Sequence, residues 1–357
     1  GSDDAVALLL ETFRESDEDM AMVDATPLGR TGEAKLIALP AEWAWKLHVG
    51  TVRYLQLDSP LGKDLSVLGR LKERPDQEVE IERWQSACPA TARHFRIHEM
   101  LSDLPCVRKN FEQRSFEDWT FALVEEPTHT WFSFIAGHMA EWKSSTEPAV
   151  PLETALPLMI DILAGMREVS ARGVVMTDIH RYKIRVSPDG SRMVLDDFRH
   201  SCVEHSTDPE VSCADAFTTP PLRLAPEIAG DVADRVSSNQ WQLGLLFAQM
   251  LLGVDPVADL ARRMHSDGSS DSEGARALIR DVARRHFVLW ETPGFRDLIA
   301  DYADVLRIVS GLLEKSPDMR WTVEEAWREA VQVAEARGIP INRGPRVPQT
   351  VLEEWGA

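Results

Sequence analysis

The sequence predicts an α+β protein made of two units, a β-rich first third and a helix-rich remainder. Three observations favour this fold class. The chain has 357 residues, more than one domain of about 150 residues usually contains. Short strand-like runs fill the part before about residue 125, whereas long amphipathic helical patterns follow from residue 152. We expect the two units to join near residues 125–130.

Composition and charge exclude several functional classes. The chain carries 39 Lys and Arg against 58 Asp and Glu, a formal net charge of −19. Nucleic acids and anionic membrane surfaces are bound through clustered basic residues, so both are poor partners for this chain. No apolar run approaches the ~20 residues that a membrane span needs. We therefore expect a folded protein that binds neither nucleic acid nor membranes.

The first unit is expected to begin with an acidic helix and to continue as strands. The expected elements are, in order, a helix at 3–24, strands at 36–39 and 51–57, a loop at 62–75, a charged helix at 76–87, and two or three strands within 93–125. His94 and His98 fall in the last region, where neighbouring Phe95 and Ile97 favour a strand over a helix. A metal site built on these two histidines is therefore not expected.

The second unit begins with the clearest helical pattern in the chain. Residues 152–172 repeat apolar side chains at helical spacing, and Gly173 follows as a stop signal. The expected elements after it are short strands at 174–176, 184–187 and 192–195, and helices at 236–253 and 301–336.

Five short segments in this second unit contain polar and charged residues in the order of a known set of motifs. They lie at 175–186, 194–199, 225–227, 239–244 and 317–320. Their order and spacing resembles the C-terminal lobe of protein kinases: catalytic loop, metal-binding loop, Ala-Pro-Glu segment, central helix and a late buried arginine. The resemblance covers about 28–336. It implies a bilobed kinase-like fold with a helical extension at 1–26, an N-lobe at 27–126, a C-lobe at 127–340 and a tail at 341–357.

The segment that matches the kinase phosphate-binding loop has lost most of its glycines. Gly29 is retained, but Thr31 and Ala34 stand where the second and third glycines belong. Glycine is needed there because backbone amides must approach the phosphates closely. Glu33 adds a carboxylate that would repel them. The resemblance therefore implies a degenerate nucleotide site.

The lysine that binds the phosphates is also missing from its expected place. The alignment puts Gln56 or Leu57 at that position, and Glu78 or Glu80 at the carboxylate of the following helix. Lys63 is the nearest downstream lysine, within the expected loop.

The segments that match the kinase catalytic and metal-binding loops each have a basic residue in place of an uncharged one. Asp178 matches the catalytic aspartate, but Lys183 replaces the asparagine that would hold magnesium. Asp197 matches the metal-binding aspartate, and Arg199 replaces its glycine. An ammonium cannot ligate a metal ion. Our hypothesis is that Lys183 and Arg199 supply the positive charge that magnesium supplies elsewhere; the alternative is that both point to solvent.

Positions with a structural role in kinases are retained. The resemblance implies a buried ion pair between Glu227 and Arg320, with Trp241 and Gly244 packing the helical core. The pattern as a whole implies a pseudokinase without catalytic residues, ATP or magnesium, which acts on unidentified protein partners. One alternative is an atypical active Ser/Thr kinase. Another is a nucleotide-binding but inactive switch.

The active alternative needs a lysine repositioned from another place in the first unit. Lys35, Lys46 and Lys63 are the candidates, acting with the two retained aspartates.

Four cysteines admit three pairings, and their spacing favours two local disulfides. These are Cys88–Cys106 and Cys202–Cys213. Four reduced thiols are the first alternative. The second is a zinc site that combines His200, Cys202, His205 and Cys213, although its spacing matches no standard finger.

The acidic extension, the lost glycine loop and the cysteines after the metal-binding loop resemble the secreted rhoptry-type kinases of apicomplexan parasites. That resemblance implies a secreted protein of the parasite vacuole or cyst wall and independently favours the disulfides. The chain has no signal peptide; Gly1-Ser2 is typical of a cloning remnant, so we expect a cleaved leader to be missing from this sequence.

Overall fold

A computed structural model gives the structure of the protein. It describes the following residues: 20–27, 35–55, 63–72, 78–125, 129–141, 146–176, 179, 183–187, 190–213, 225, 235–257, 259–260, 289–292 and 295–341. The described residues form two compact units, and together they contain both helices and strands, as expected for an α+β protein. Among the described residues, the first unit contains those up to 92 together with 108–125, and the second contains 93–107 together with those from 129 to 341.

A seven-stranded sheet is the framework of the first unit. Its strands are β1 (Met20–Pro27), β2 (Lys35–Pro40), β3 (Leu47–Leu55), β4 (Lys63–Leu71), β5 (Glu78–Gln85), β6 (Asn110–Phe116) and β7 (Trp119–Glu125). Their order in the sheet is β2-β1-β3-β4-β5-β7-β6. All neighbours pair antiparallel except β1 and β3, which are parallel. A short helix, α1 (Ala41–Lys46), joins β2 to β3.

The core of the first unit follows from the alternation of side chains along the strands. Val79 and Ile81 of β5 are fully buried in an apolar cluster with Phe121 of β7. Trp43 of α1 belongs to the same cluster and is also fully buried. Successive residues of a strand point to opposite faces, so Glu80 and Glu82 project from the other side of β5.

Three sequence-based expectations for the first unit are wrong. Residues 20–24, expected to end a helix, lie in β1, and residues 3–19 fall outside the described part of the chain. The expected loop at 62–75 contains β4, and the expected helix at 76–87 contains β5. The charged residues of β5 suggested a charged helix, but the carboxylates of Glu80 and Glu82 are buried and bound by Lys63 and Arg108. The alternation of Val79, Glu80 and Ile81 was the strand signal.

The second unit contains longer helices and two small sheets. Its helices are α2 (Pro89–Met100), of which the first turn belongs to the first unit, α3 (Trp131–Glu141), α4 (Leu152–Ala171), α5 (Arg235–Leu252), α6 (Phe295–Leu312) and α7 (Val323–Ala336). Its strands are β8 (His129–Thr130), β9 (Val174–Met176), β10 (Ile184–Val186), β11 (Met193–Leu195) and β12 (Ser201–Val203). The sheet orders are β11-β10-β8 and β12-β9.

The helices of the second unit agree with the sequence-based expectations at α4 and α5 but differ elsewhere, and α3 was not predicted. The prediction of a helix over 152–172 is confirmed by α4, and Gly173 follows it with φ of 73°. The strand expected around 93–98 is wrong, because those residues lie in α2. The single helix expected over 301–336 is two helices; α7 starts afresh with a capping box between Thr322 and Glu325.

Gly244 lets α5 and α6 approach each other closely. A Cβ at this position would lie 2.7 Å from Leu313 Cγ and 3.0 Å from Leu312 Cβ. We expect Gly244→Ala to lower the free energy of unfolding by about 1–3 kcal/mol, because α5 would have to move away from buried leucines. Urea denaturation measures the loss. Gly137→Ala is the matched control, since nothing lies within 4 Å of a Cβ at that helical position; equal losses at both sites would contradict the prediction.

One of the two expected disulfides is present. Cys202 of β12 and Cys213 are joined, with an S–S distance of 2.10 Å, and they close a loop in which Val203 N donates to Val211 O at 2.7 Å. The other expectation is wrong. Cys88 and Cys106 are thiols, and Cys106 Sγ donates to the carbonyl of Gly165 at 3.8 Å.

Among the helices that the structure describes, none is both long enough and apolar enough to cross a bilayer.

Candidate functional site

The hairpin of β10 and β11 brings together the basic and acidic residues of the two altered motifs. Ile184 pairs with Leu195, so the residue before β10 lies opposite the residue after β11. The backbone confirms this, since Asp196 N donates to Lys183 O at 2.9 Å. Lys183 and Asp197 are thereby placed side by side although fourteen positions separate them in the sequence.

Asp197 is the centre of the site, and both of its carboxylate oxygens are held by cations of the same chain. Arg199 Nε donates to Oδ1 at 2.6 Å, and Arg199 Nη2 donates to Oδ2. Lys183 Nζ lies 3.9 Å from Oδ1. The three side chains are 15%, 14% and 3% exposed for Asp197, Arg199 and Lys183. A bidentate guanidinium is the strongest pairing available to a carboxylate.

A second ion pair lies beside the first. Arg185 Nε donates to Asp196 Oδ2 at 3.1 Å, and Asp196 Oδ1 accepts from Asp197 N at 2.9 Å. Asp197 itself has φ of 63°, in the left-handed region that glycine, asparagine and aspartate adopt more readily than other residues. These contacts hold Asp197 in that conformation while its carboxylate binds Arg199.

The charge of Asp197 is fixed by its neighbours. Burial alone would raise the pKa of this carboxyl, but the charges of Arg199 and Lys183 act against burial and hold the pKa well below its ordinary value. The group is therefore a carboxylate throughout the physiological range. Its negative charge is compensated within the protein.

The arrangement does not suit a divalent cation. Magnesium is held through carboxylate and amide oxygens, whereas here the Asp197 oxygens already accept from Arg199 and the neighbouring position supplies an ammonium. Across the described residues, no group of three or more His, Cys, Asp or Glu side chains is arranged to hold a metal ion. The residues present therefore do not fit the metal that an active kinase would require at this point.

Two histidines of α2 complete the site. His94 Nδ1 accepts from Phe198 N at 3.0 Å, and the His94 and Phe198 rings stack with centroids 6.3 Å apart. His98 packs edge-on against the same phenyl ring at 6.1 Å. Because α2 is a helix, residues four apart share a face. The spacing of four between His94 and His98 could have indicated that they share a helix face. The expectation of a strand in this region placed them on no helix.

His94 is held in its neutral form. Desolvation by burial is the main cause and lowers its pKa to about 3, although the nearby carboxylate of Asp197 acts in the opposite direction. The hydrogen bond agrees with this, because Nδ1 can accept from Phe198 N only when it carries no proton.

A separate buried ionic cluster, the Glu80–Glu82 cluster, lies in the first unit. Arg108 Nη2 binds Glu80, and Arg108 Nη1 donates to Glu82 Oε1 at 2.8 Å. Lys63 Nζ also binds Glu82 and lies 3.8 Å from Glu80 Oε1. Ser66 donates to Glu80. Both glutamates and Arg108 are about 1% exposed, so two carboxylates and two cations neutralise one another inside the unit.

Of the four residues to which the kinase resemblance gives a structural role, the structure describes Trp241, Gly244 and Arg320. Trp241 is fully buried under the guanidinium of Arg320, which lies 5.4 Å from the indole centroid. Arg320 also donates from Nε to Glu314 O at 2.8 Å. Glu227, its expected partner, lies outside the described residues, as do Asp178 and the loop residues Gly29, Thr31, Glu33 and Ala34.

One contact at the expected catalytic loop was not foreseen. Gln242 Oε1 of α5 accepts from Ile179 N at 2.5 Å, directly after the Asp178 position. Asn239, the first residue of the segment that resembles the kinase central helix, lies three residues earlier and is buried in α5. The zinc alternative is wrong for this site, because Cys202 and Cys213 are oxidised and offer no thiolate.

The chain matches no protein-family model, and a search of curated proteins found no match either.

Proposed function

We propose that the protein is a catalytically inactive pseudokinase that acts as a protein-binding scaffold. The arrangement of Lys183, Asp197 and Arg199 is the observation that carries the proposal. A kinase uses this aspartate to hold the magnesium ion that neutralises the phosphates. Here the carboxylate is occupied on both oxygens by side chains of the same chain. The cations take over the stabilising role of the metal and leave no place for it.

The order of the elements supports a kinase-like reading of the chain. In the first unit, β3, β4, β5, β7 and β6 are consecutive neighbours, with helix α2 directly after β5. In the second unit, the long helix α4 is followed by short strands that carry Asp197 at the end of β11, and then by the buried helix α5. The disulfide Cys202–Cys213 supports secretion, since such bonds persist in oxidising compartments.

The first unit supplies a second argument. Protein kinases place the phosphate-binding lysine on the strand before the small-lobe helix. The strand before α2 is β5, not the expected 51–57, and it carries Glu80 and Glu82 on one face. β5 has no lysine, so it lacks the residue that binds the phosphates in a kinase, and its two buried glutamates are neutralised by Arg108 and Lys63.

The alternative of an atypical active kinase depends on a repositioned lysine. Lys63 is the candidate that reaches the same region, from the neighbouring strand β4. Its ammonium is bound to Glu82 and lies close to Glu80, so its charge is already compensated. Lys35 begins β2 and Lys46 ends α1, and neither lies on β5. These positions count against the active alternative.

Nucleotide binding is the direct test. We expect ATP or ADP at millimolar concentration, with Mg²⁺ or Mn²⁺, to leave the melting temperature unchanged. A site with a dissociation constant one hundredth of the ligand concentration would add about 2.7 kcal/mol of stability. Differential scanning fluorimetry with each metal, each nucleotide and EDTA distinguishes the cases. A rise with Mg-ATP that EDTA abolishes would contradict the proposal.

A matched variant tests whether the charges of Lys183 and Arg199 are the reason that Asp197 binds no metal ion. In Lys183→Asn combined with Arg199→Gly, Asp197 loses both cations and an amide oxygen takes the place of the ammonium. We expect this variant to melt at a lower temperature than the unsubstituted protein and to be restabilised by Mg²⁺ or Mn²⁺. Restabilisation of the unsubstituted protein by the same ions would contradict the assigned role of Lys183 and Arg199.

A further inference from the structure

Strand β6 forms one edge of the seven-stranded sheet, and within the described residues no strand lies beyond it. Its residues 113–115 are exposed. The opposite edge is protected differently: β2 starts with Lys35, ends with Pro40, and buries Ile37 and Leu39. Proteins commonly block sheet edges with lysine, proline or a bulge. β6 has neither lysine nor proline, and its irregularity is confined to the Asn110–Glu112 step.

The charges along β6 are complementary to those of the same strand running in the opposite direction. Glu112 and Arg114 lie on the same face, as shown by the 2.6 Å distance from Arg114 Nε to Glu112 Oε1. If a second copy pairs antiparallel about a two-fold axis through Gln113, Glu112 lies opposite Arg114 of the other copy, and Arg114 opposite its Glu112. A shift of one residue removes both pairs, so the charge pattern selects a single register.

We propose that β6 is a docking edge for a second copy of this chain, which pairs with it antiparallel and joins two sheets into one. A two-fold axis makes such a contact self-complementary, and main-chain hydrogen bonds supply most of its affinity. The dimer is weak, since the pairing is short and two chains of net charge −19 repel each other. This interface is independent of the proposed pseudokinase function.

Sedimentation velocity on the whole chain tests the interface, from about 1 µM to about 1 mM protein at about 0.15 M salt. The wild-type protein is expected to pass from monomer to dimer over this range. Glu112→Arg alone, or Arg114→Glu alone, places like charges opposite each other twice and weakens the dimer by about tenfold or more. A wild-type protein that stays monomeric throughout overturns the proposal.

Restoring complementarity separates this edge from any other interface. The double exchange Glu112→Arg with Arg114→Glu recovers the dimer, because the pairs form again with reversed polarity. Mixing the two single variants gives a heterodimer, although each alone associates weakly. Glu78→Arg and Arg70→Glu are the controls: they change net charge equally on an exposed pair of the same sheet, away from its edge, and leave association close to wild type. The proposal is overturned if the β6 substitutions leave dimer formation unchanged, or if the double exchange does not restore it.

Discussion

Replacing Arg108 by Ala is expected to lower the free energy of unfolding by about 3–5 kcal/mol, the largest single effect that the structure predicts. Arg108 binds Glu80 and Glu82 through its two terminal nitrogens, and Nε donates to Glu125 O at 2.7 Å. Its removal leaves two carboxylates that are about 1% exposed, with Lys63 still close to both of them. Burying charge without compensation is far more costly than losing an exposed contact. Urea denaturation with a fitted slope measures the loss.

Two controls identify the cause of that loss. Arg70→Ala removes an arginine from the exposed pair with Glu78 on the same sheet, and we expect a loss of about 1 kcal/mol at most. Adding Glu80→Gln and Glu82→Gln to Arg108→Ala is expected to recover part of the stability, since the uncompensated charges disappear. If Arg108→Ala costs no more than Arg70→Ala, the buried cluster does not hold the first unit together.

Acidification from pH 7 to 4.5 is expected to cost the wild-type protein about 3 kcal/mol more than it costs the His94→Asn variant. The folded-state pKa of His94 is lowered to about 3, mainly by burial, whereas an unfolded histidine titrates near 6.5. Between these values the unfolded state binds more protons, so stability falls as pH falls, by about 1.4 kcal/mol per pH unit. Asparagine does not titrate in this range and retains an acceptor for Phe198 N.

His94 and Asp197 affect the stability of the protein in different pH ranges. The pKa of Asp197 is also lowered, so its contribution to stability is present above the ordinary aspartate value of about 3.9 and is lost only as pH falls below it. At pH 7, 6, 5.5, 5 and 4.5, all of them above about 3.9, the difference in stability that chemical denaturation measures between the wild-type protein and His94→Asn therefore reports on His94 and not on Asp197. His48→Asn, at an exposed position of β3, is the control and is expected to keep the wild-type slope. Equal slopes for wild type and His94→Asn would contradict the assignment of His94 as a buried neutral histidine.

The elements with a strong local pattern were predictable from the sequence. The helix α4 repeats apolar residues over five turns, and β9 to β11 are short apolar runs separated by turn residues. The charged elements were not. β5 reads as polar because Glu80 and Glu82 interrupt its apolar residues, and α2 reads as a strand because Phe95 and Ile97 alternate with polar neighbours. Local propensity is a weak guide where buried ion pairs or tertiary packing compensate for polar side chains.

Some residues of the candidate site were likewise predictable from the sequence, and others were not. Lys183, Asp197 and Arg199 were identifiable from motif order, and the hypothesis that the cations act on Asp197 agrees with their distances. His94 and the Glu80–Glu82 cluster were not identified, since their partners lie far away in the chain: His94 contacts Phe198, and Lys63 and Arg108 meet two glutamates of β5. No spacing rule relates residues whose contact depends on how the strands pair.

By itself, the sequence determined the acidic balance of the chain, its division into a strand-rich and a helix-rich part, and the presence of the basic residues Lys183 and Arg199 in the segments that contain Asp178 and Asp197. Those properties depend only on residue identity and on periodicity over a few turns. Only the tertiary structure decided which carboxylates are neutralised, which histidine is buried and which strand edge is exposed. Each of these depends on groups brought together by strand register and helix packing, because charge compensation and desolvation act over a few ångströms in space, whatever the separation along the chain.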